Sequence, residues 1–260
     1  IMKKLIYLFL TVLIVGCSGD AKKNDLTVLN LNGNVKSITY TTFEAIEKFG
    51  EITNGKMGYS SSSIFNNNGN EIEGNYYGAD GSLENKDIYK YDDKGNKIER
   101  NYYKADGSLS SKDIYKYDDK GNMLEVYSYE ADGSLENKNI YKYDDKGNEI
   151  ERNYYKADGS LINKNIYKYD DKGNKIERNY YGADGSLSSK YIWKYDDKGN
   201  MLEENNYGAD DKTSGRSTLK YDNDNDNRGN WVRVVFYSDY FDDIEPLIWI
   251  TERKIEYYKP

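Results

Sequence analysis

Two sets of side chains in this sequence recur at a spacing that could do chemistry. The first is aromatic. Tyr89 and Tyr91, Tyr115 and Tyr117, Tyr141 and Tyr143, Tyr167 and Tyr169, and Trp193 and Tyr195 form five pairs, each 26 residues from the next. In a repeating register they would stack into a stripe whose faces, flanked by Asn, Lys and Asp, could hold sugar rings or an extended polypeptide. The plainer role is cross-strand packing, worth about 0.2–1 kcal/mol per pair. The second set is acidic: Asp222, Asp224 and Asp226 alternate with Asn, as at the start of a calcium loop. An EF-hand also needs Gly at its sixth position and Glu at its twelfth, where this chain has Asn227 and Arg233. At most a loose calcium site is left, and no metal is assigned.

Enzyme chemistry has little to work with. The chain contains no His, so neither a Ser-His-Asp nor a Cys-His set can form. A glycosidase needs two carboxylates about 5–10 Å apart across a cleft. The acids of the repeats recur in each copy, which is not how a single catalytic pair is built. An acid pair in the non-repeated ends, for instance Asp242, Asp243 or Glu245, would have to supply one. The expectation is a non-enzymatic protein without a cofactor. A formal charge of −8, with acids and bases interleaved, also leaves no basic footprint for nucleic acid.

The N-terminus reads as an address. Lys3 and Lys4 precede an apolar run from Leu5 to Val15, too short for a spanning helix, which needs about 20 residues. The run ends in Ile14-Val15-Gly16-Cys17, which resembles the lipobox cut just before cysteine by the lipoprotein signal peptidase. Cys17 is the only cysteine of the chain and stands where lipidation needs it, leaving no thiol for a disulfide. Removal of residues 1–16 deepens the net charge to −10. By the same resemblance, uncharged Ser18 after Cys17 points to the outer membrane, with either face open. The expected partners are the membrane, through the lipid anchor, and a glycan or protein ligand.

The elements that must carry the aromatic pairs follow from the repeat. From Asn75 the chain repeats every 26 residues. A Gly-Asn turn recurs at Gly69, Gly95, Gly121, Gly147, Gly173 and Gly199, and again at Gly229 after an Asn-Asp insertion. An Ala-Asp-Gly turn recurs from Gly81 to Gly185. Between turns lie runs such as Lys97 to Tyr103 and Leu109 to Tyr117, of strand length. In the second run Tyr115 and Tyr117 share one face and Ile114 and Lys116 the other. This describes an all-β antiparallel meander of two-strand repeats, about sixteen strands in an elongated, twisted or curled sheet. The 29 Tyr, against 6 Phe and 3 Trp, suit strands half exposed to water. A membrane-spanning barrel would need an apolar band at alternate positions, yet both faces carry Lys, Glu or Asn, so it is set aside.

The domains expected are a signal peptide at 1–16, a lipidated tether at 17–30, capping strands at 31–74, five repeats at 75–204, and a divergent repeat with a C-terminal cap at 205–260. The caps would cover two unpaired sheet edges. Residues 97–125 and 175–203 differ only at positions 104/182, 113/191 and 115/193. The array therefore grew by copying a three-unit block.

The recurring Tyr-x-Tyr-Asp-x-x-Gly-Asn, as in Tyr115 to Asn122, resembles the YD repeat of RHS-type proteins over roughly residues 64–235. Tyr221-Asp222, then Asn227 to Trp231 and Glu252 to Tyr258, look like the close of small YD-repeat envelope lipoproteins. In large RHS proteins such repeats build a cocoon around a toxin, and some YD arrays are described as carbohydrate-binding. The chain is short and strand-like to Pro260, so the cocoon and toxin roles are not carried over. The resemblance implies a binding or spacer module on an envelope lipoprotein, or a structural and antigenic coat protein without a specific ligand.

Overall fold

The computed structural model describes residues 24–222, 225–239 and 247–259. Cys17, the signal peptide, Asp224, Asp242, Asp243 and Glu245 lie outside them. After one helical turn, α1 (Asp25–Val28), the described chain is strand after strand. A long hairpin comes first, β1 (Val35–Lys48) and β2 (Glu51–Phe65). The array follows: β3 (Glu71–Tyr77), β4 (Leu83–Tyr91), β5 (Lys97–Lys104), β6 (Leu109–Tyr117), β7 (Met123–Glu130), β8 (Leu135–Tyr143), β9 (Glu149–Lys156), β10 (Leu161–Tyr169), β11 (Lys175–Gly182), β12 (Leu187–Tyr195), β13 (Met201–Gly208) and β14 (Thr213–Tyr221). β15 (Arg233–Asp239) and β16 (Leu247–Tyr257) complete it.

Sixteen antiparallel strands in sequence order are what the repeat predicts. The expectation of two capped edges is corrected, because β1 pairs with β16 from Val35↔Tyr257 to Glu44↔Trp249 and closes the sheet into a barrel. Closure satisfies the backbone groups that an edge would leave unpaired. The segments expected to cap the edges are instead the two sides of the seam.

Both turns hold by the same device. Asp118 Oδ1 accepts the Lys120 and Asn122 backbone N–H groups, and its Oδ2 accepts the Asn122 side-chain amide at 2.9 Å. This explains why Asp begins the turn and Asn ends it. Gly121 takes φ +85°, a conformation that costs any residue with a Cβ. At the other rim Asp106 accepts the backbone N–H and hydroxyl of Ser108. Each repeat also carries two register shifts. Lys90 faces Glu99 but Tyr91 faces Lys97, so Ile98 is an extra residue; a second shift lies at Tyr102/Tyr103. Such bulges bend and twist strands, which suits a sheet that must curl shut.

The two faces differ sharply in exposure. Tyr141 and Tyr167 are 6% and 7% exposed and Asp87 is fully buried. On the opposite face the side chains of Lys90, Lys116, Lys142, Lys168 and Lys194 are 58–64% exposed. The aromatic pairs therefore face into the barrel and the lysines face out. Each outward lysine meets a glutamate of the next strand, as in Lys90–Glu99 at 2.7 Å and Lys142–Glu151 at 2.8 Å. The apolar core gathers at the seam: Val35, Ile38 and Phe65 with Leu26 and Leu31 from the α1 segment, and Leu219, Trp231, Val234 and Phe236. There Asn54 bonds Glu252 at 2.7 Å and Arg233 reaches the Ile52 carbonyl at 3.1 Å, so the tip of the first hairpin folds back over the outer face of β15 and β16.

Candidate functional site

The ten aromatic positions form one inward set, but the members of each pair do different work. In four of the five pairs the second tyrosine is a peg, and Tyr221 on β14 continues their row. Tyr91, Tyr117, Tyr169, Tyr195 and Tyr221 each donate to the backbone carbonyl twenty residues upstream, at 2.5–3.0 Å. Every acceptor, from Glu71 to Met201, is a residue at which the strand register shifts. The hydroxyl thus satisfies a carbonyl that the bulge withdraws from the ladder. Burial raises the pKa of these hydroxyls.

The first aromatic of each pair meets charge. The Lys97 ammonium lies 4.1 Å from the Tyr89 ring centre and Lys175 lies 3.8 Å from that of Tyr167. The Arg152 guanidinium stands over Tyr141 at 4.7 Å and binds Glu149 through two bonds of 2.8 Å. Trp193 donates to Glu204 at 2.7 Å. Burial pushes the Tyr141 hydroxyl up to about 12 and the Lys175 amine down to about 8. Lys97 has Asp25 of α1 at 3.6 Å, whereas Lys175 has no ion-pair partner among the described residues. Arg253, at the seam, is buried with its guanidinium 3.3 Å from the Trp231 ring centre.

These inward arginines and acids are the residues that the sequence reading missed. Every thirteenth residue from Asp87 to Glu204 joins one inward row of alternating strands. Within it Arg100 holds Asp87 at 2.8 Å and faces Asp113 at 3.8 Å. Arg100, Tyr102, Ser111 and Asp113 line a cavity of about 230 Å³ on the β5–β6 hairpin. The signal was variation: position 113/191 is one of three that differ in an otherwise identical block.

The acidic candidates are already engaged. Both oxygens of Asp222 accept from Arg233, at 3.2 and 2.9 Å. Asp226 serves the last Gly-Asn turn, accepting from the Arg228 and Asn230 backbone and from the Tyr257 hydroxyl. Among the described residues no three metal-ligating acids converge.

No family model matches the chain, and no curated protein matches it. Among solved structures it is similar to a porin-like protein from Bacteroides uniformis, with a TM-score of 0.59 and 12% identity over 86% of this chain and 99% of that one. That likeness shows the closed-barrel fold. A Photorhabdus luminescens Tc holotoxin pore also aligns, with a TM-score of 0.21 and 12% identity over 82% of this chain and 16% of that chain, a score too low to bear on the fold.

Proposed function

We propose that the chain is a non-enzymatic lipoprotein of the bacterial envelope, tethered through Cys17, whose barrel stands in water and holds its ligand on the inward face. One observation carries the reading: the outward Lys–Glu ladder joined to a polar, aromatic inward face. A barrel that crosses a bilayer needs an apolar outer band, and a lysine at mid-depth costs about 2–4 kcal/mol. Here alternate outward positions read Lys112, Ile114 and Lys116 on β6, and Glu99, Asn101 and Tyr103 on β5, so a charge stands on every array strand. The tether and the barrel are therefore separate devices. A glycan segment suits the inward face better than a folded protein, because the aromatic rings line the inside of a closed sheet. A coat protein without a ligand is the second reading, supported by the ease with which the array has copied itself.

Cys17→Ser tests the tether against a barrel that crosses the membrane. Expressed in a Gram-negative host, the wild-type chain should incorporate labelled palmitate and sediment with membranes. The variant should lose the label and appear in the soluble envelope fraction. A variant that stays in the membrane and resists carbonate extraction would mean that the strands cross the bilayer, and the reading would fall.

A further inference from the structure

The copied block contains its own control. Hairpins β5–β6 and β11–β12 sit in corresponding halves of two 29-residue windows that differ at only three positions, and two of those face the interior: Asp113 against Tyr191, and Tyr115 against Trp193. The register is the same in both, with Arg100 opposite Asp113 and Tyr102 opposite Ser111 in one, and Arg178 opposite Tyr191 and Tyr180 opposite Ser189 in the other.

In the β11–β12 hairpin the space is filled. The Tyr191 ring lies 5.3 Å from the Arg178 guanidinium and stacks on Trp193 at 6.0 Å with 13° between planes. Arg178 Nε donates to Asn165 at 2.8 Å. In the β5–β6 hairpin the same place is the cavity of about 230 Å³. Its polar groups are left under-satisfied. Arg100 Nε is buried without a partner, as is Oδ1 of Asp87 behind it on β4, and the Arg100–Asp113 pair is stretched to 3.8 Å. Unmade bonds at buried charged groups cost stability, and native proteins retain few of them without a use.

Resting on the ligand-holding reading above, we infer that this cavity is a binding site for a small neutral polyol of single-ring size, and that the β11–β12 hairpin is its closed counterpart. The volume lies below the roughly 300–1,000 Å³ of pockets for drug-sized ligands, so the cavity takes one ring of a glycan rather than several. The chemistry selects the class. A hydroxyl pair can donate to Asp113 and accept from Arg100 at once, bridging the stretched pair. An anion would meet the Asp113 carboxylate, and an ammonium would meet Arg100. Tyr102 supplies an aromatic wall and Ser111 a hydroxyl. The site lies toward the Ala-Asp-Gly rim, away from the rim where the α1 segment sits, so the mouth it faces is the one opposite the tether.

The test uses the whole barrel and ligand-observed NMR with calorimetry. The probes are glucose and N-acetylglucosamine as rings, sorbitol as an open chain, sialic acid as the anion and glucosamine as the cation. A neutral probe should bind wild type with a stoichiometry of one, while the charged probes do not. Asp113→Tyr, which installs the side chain that the other hairpin already accommodates, should weaken that binding at least about tenfold, the loss of one charge-assisted hydrogen bond. Tyr191→Asp should open a second site and raise the stoichiometry to two. Thermal melts of both variants confirm folding, and the second variant reads a gain that misfolding cannot mimic. Absence of binding by every neutral probe, or a single site in Tyr191→Asp, overturns the proposal. Binding unchanged in Asp113→Tyr overturns it too but leaves the ligand-holding barrel standing with its site elsewhere. Cys17→Ser reads the tether independently of all of these.

Discussion

The array and the seam are held together by different physics. From β3 to β13 the inward face is tyrosine, arginine and carboxylate, and its order comes from bonds repeated every 26 residues: the Asp–Asn turn clamp, the Tyr peg on the bulge carbonyl and the outward Lys–Glu pairs. At the seam the repeat dissolves and a conventional oily core takes over, with Ile38, Phe65, Val234 and Phe236 each at most 2% exposed. Local bonds suffice where neighbours in sequence are neighbours in space. Where Val35 must find Tyr257, burial of apolar surface adds to the strand pairing that joins the two ends.

That contrast can be broken at the seam first. Phe236, stacked on Trp249 at 5.2 Å, should cost about 3–5 kcal/mol on replacement by alanine, measured as a drop in the denaturation midpoint. Loss of the seam frees two strand edges, so the same variant should aggregate. A loss in Phe236→Ala no larger than that of an array substitution would show that the seam is not the weak point. A clamp in the array should matter less: Asp118→Ala should cost about 1 kcal/mol, as helix caps of the same chemistry do. Tyr117→Phe removes a single hydroxyl from the Lys97 carbonyl and should cost about 1 kcal/mol or slightly less by chemical denaturation.

A last effect depends on pH. Burial lowers the Lys175 amine from 10.5 to about 8, so the unfolded chain holds that proton more tightly than the barrel does. Charging the amine therefore opposes folding in full below pH 8, and the penalty fades as pH rises toward 10.5. Lys175→Met should be more stable than wild type at pH 7, with the gap closing across that window. Taking the difference between the two proteins cancels the buried tyrosines, whose raised hydroxyls also couple folding to alkaline pH. A gap that is flat with pH would mean that the amine is solvated.

Much of this was legible before any coordinates. Leu109–Tyr117 is a strand with the bounds read from its turns, and Tyr115 and Tyr117 do share a face opposite Lys116. Closure was not, because nothing local in residues 35–44 names residues 249–257 as their partner. The division of labour within each pair was hidden too. A twenty-residue separation between Tyr117 and Lys97 acquires meaning only once the bulge puts that carbonyl within reach. The inward arginines look like ordinary surface charge in a one-dimensional reading, since Lys and Arg alternate along the same strands.

The antiparallel closure between the first strand and the last has an evolutionary corollary. Each repeat contributes one strand up and one strand down, so gaining or losing whole repeats preserves the sense in which the two ends meet. The barrel can change girth in steps of about 10 Å of circumference, two strand spacings at a time, without redesigning its fastening. A duplicated three-unit block alters the width of the vessel while the clasp stays as it was. In such a lineage the bore is an inherited quantity that recombination can adjust in whole numbers.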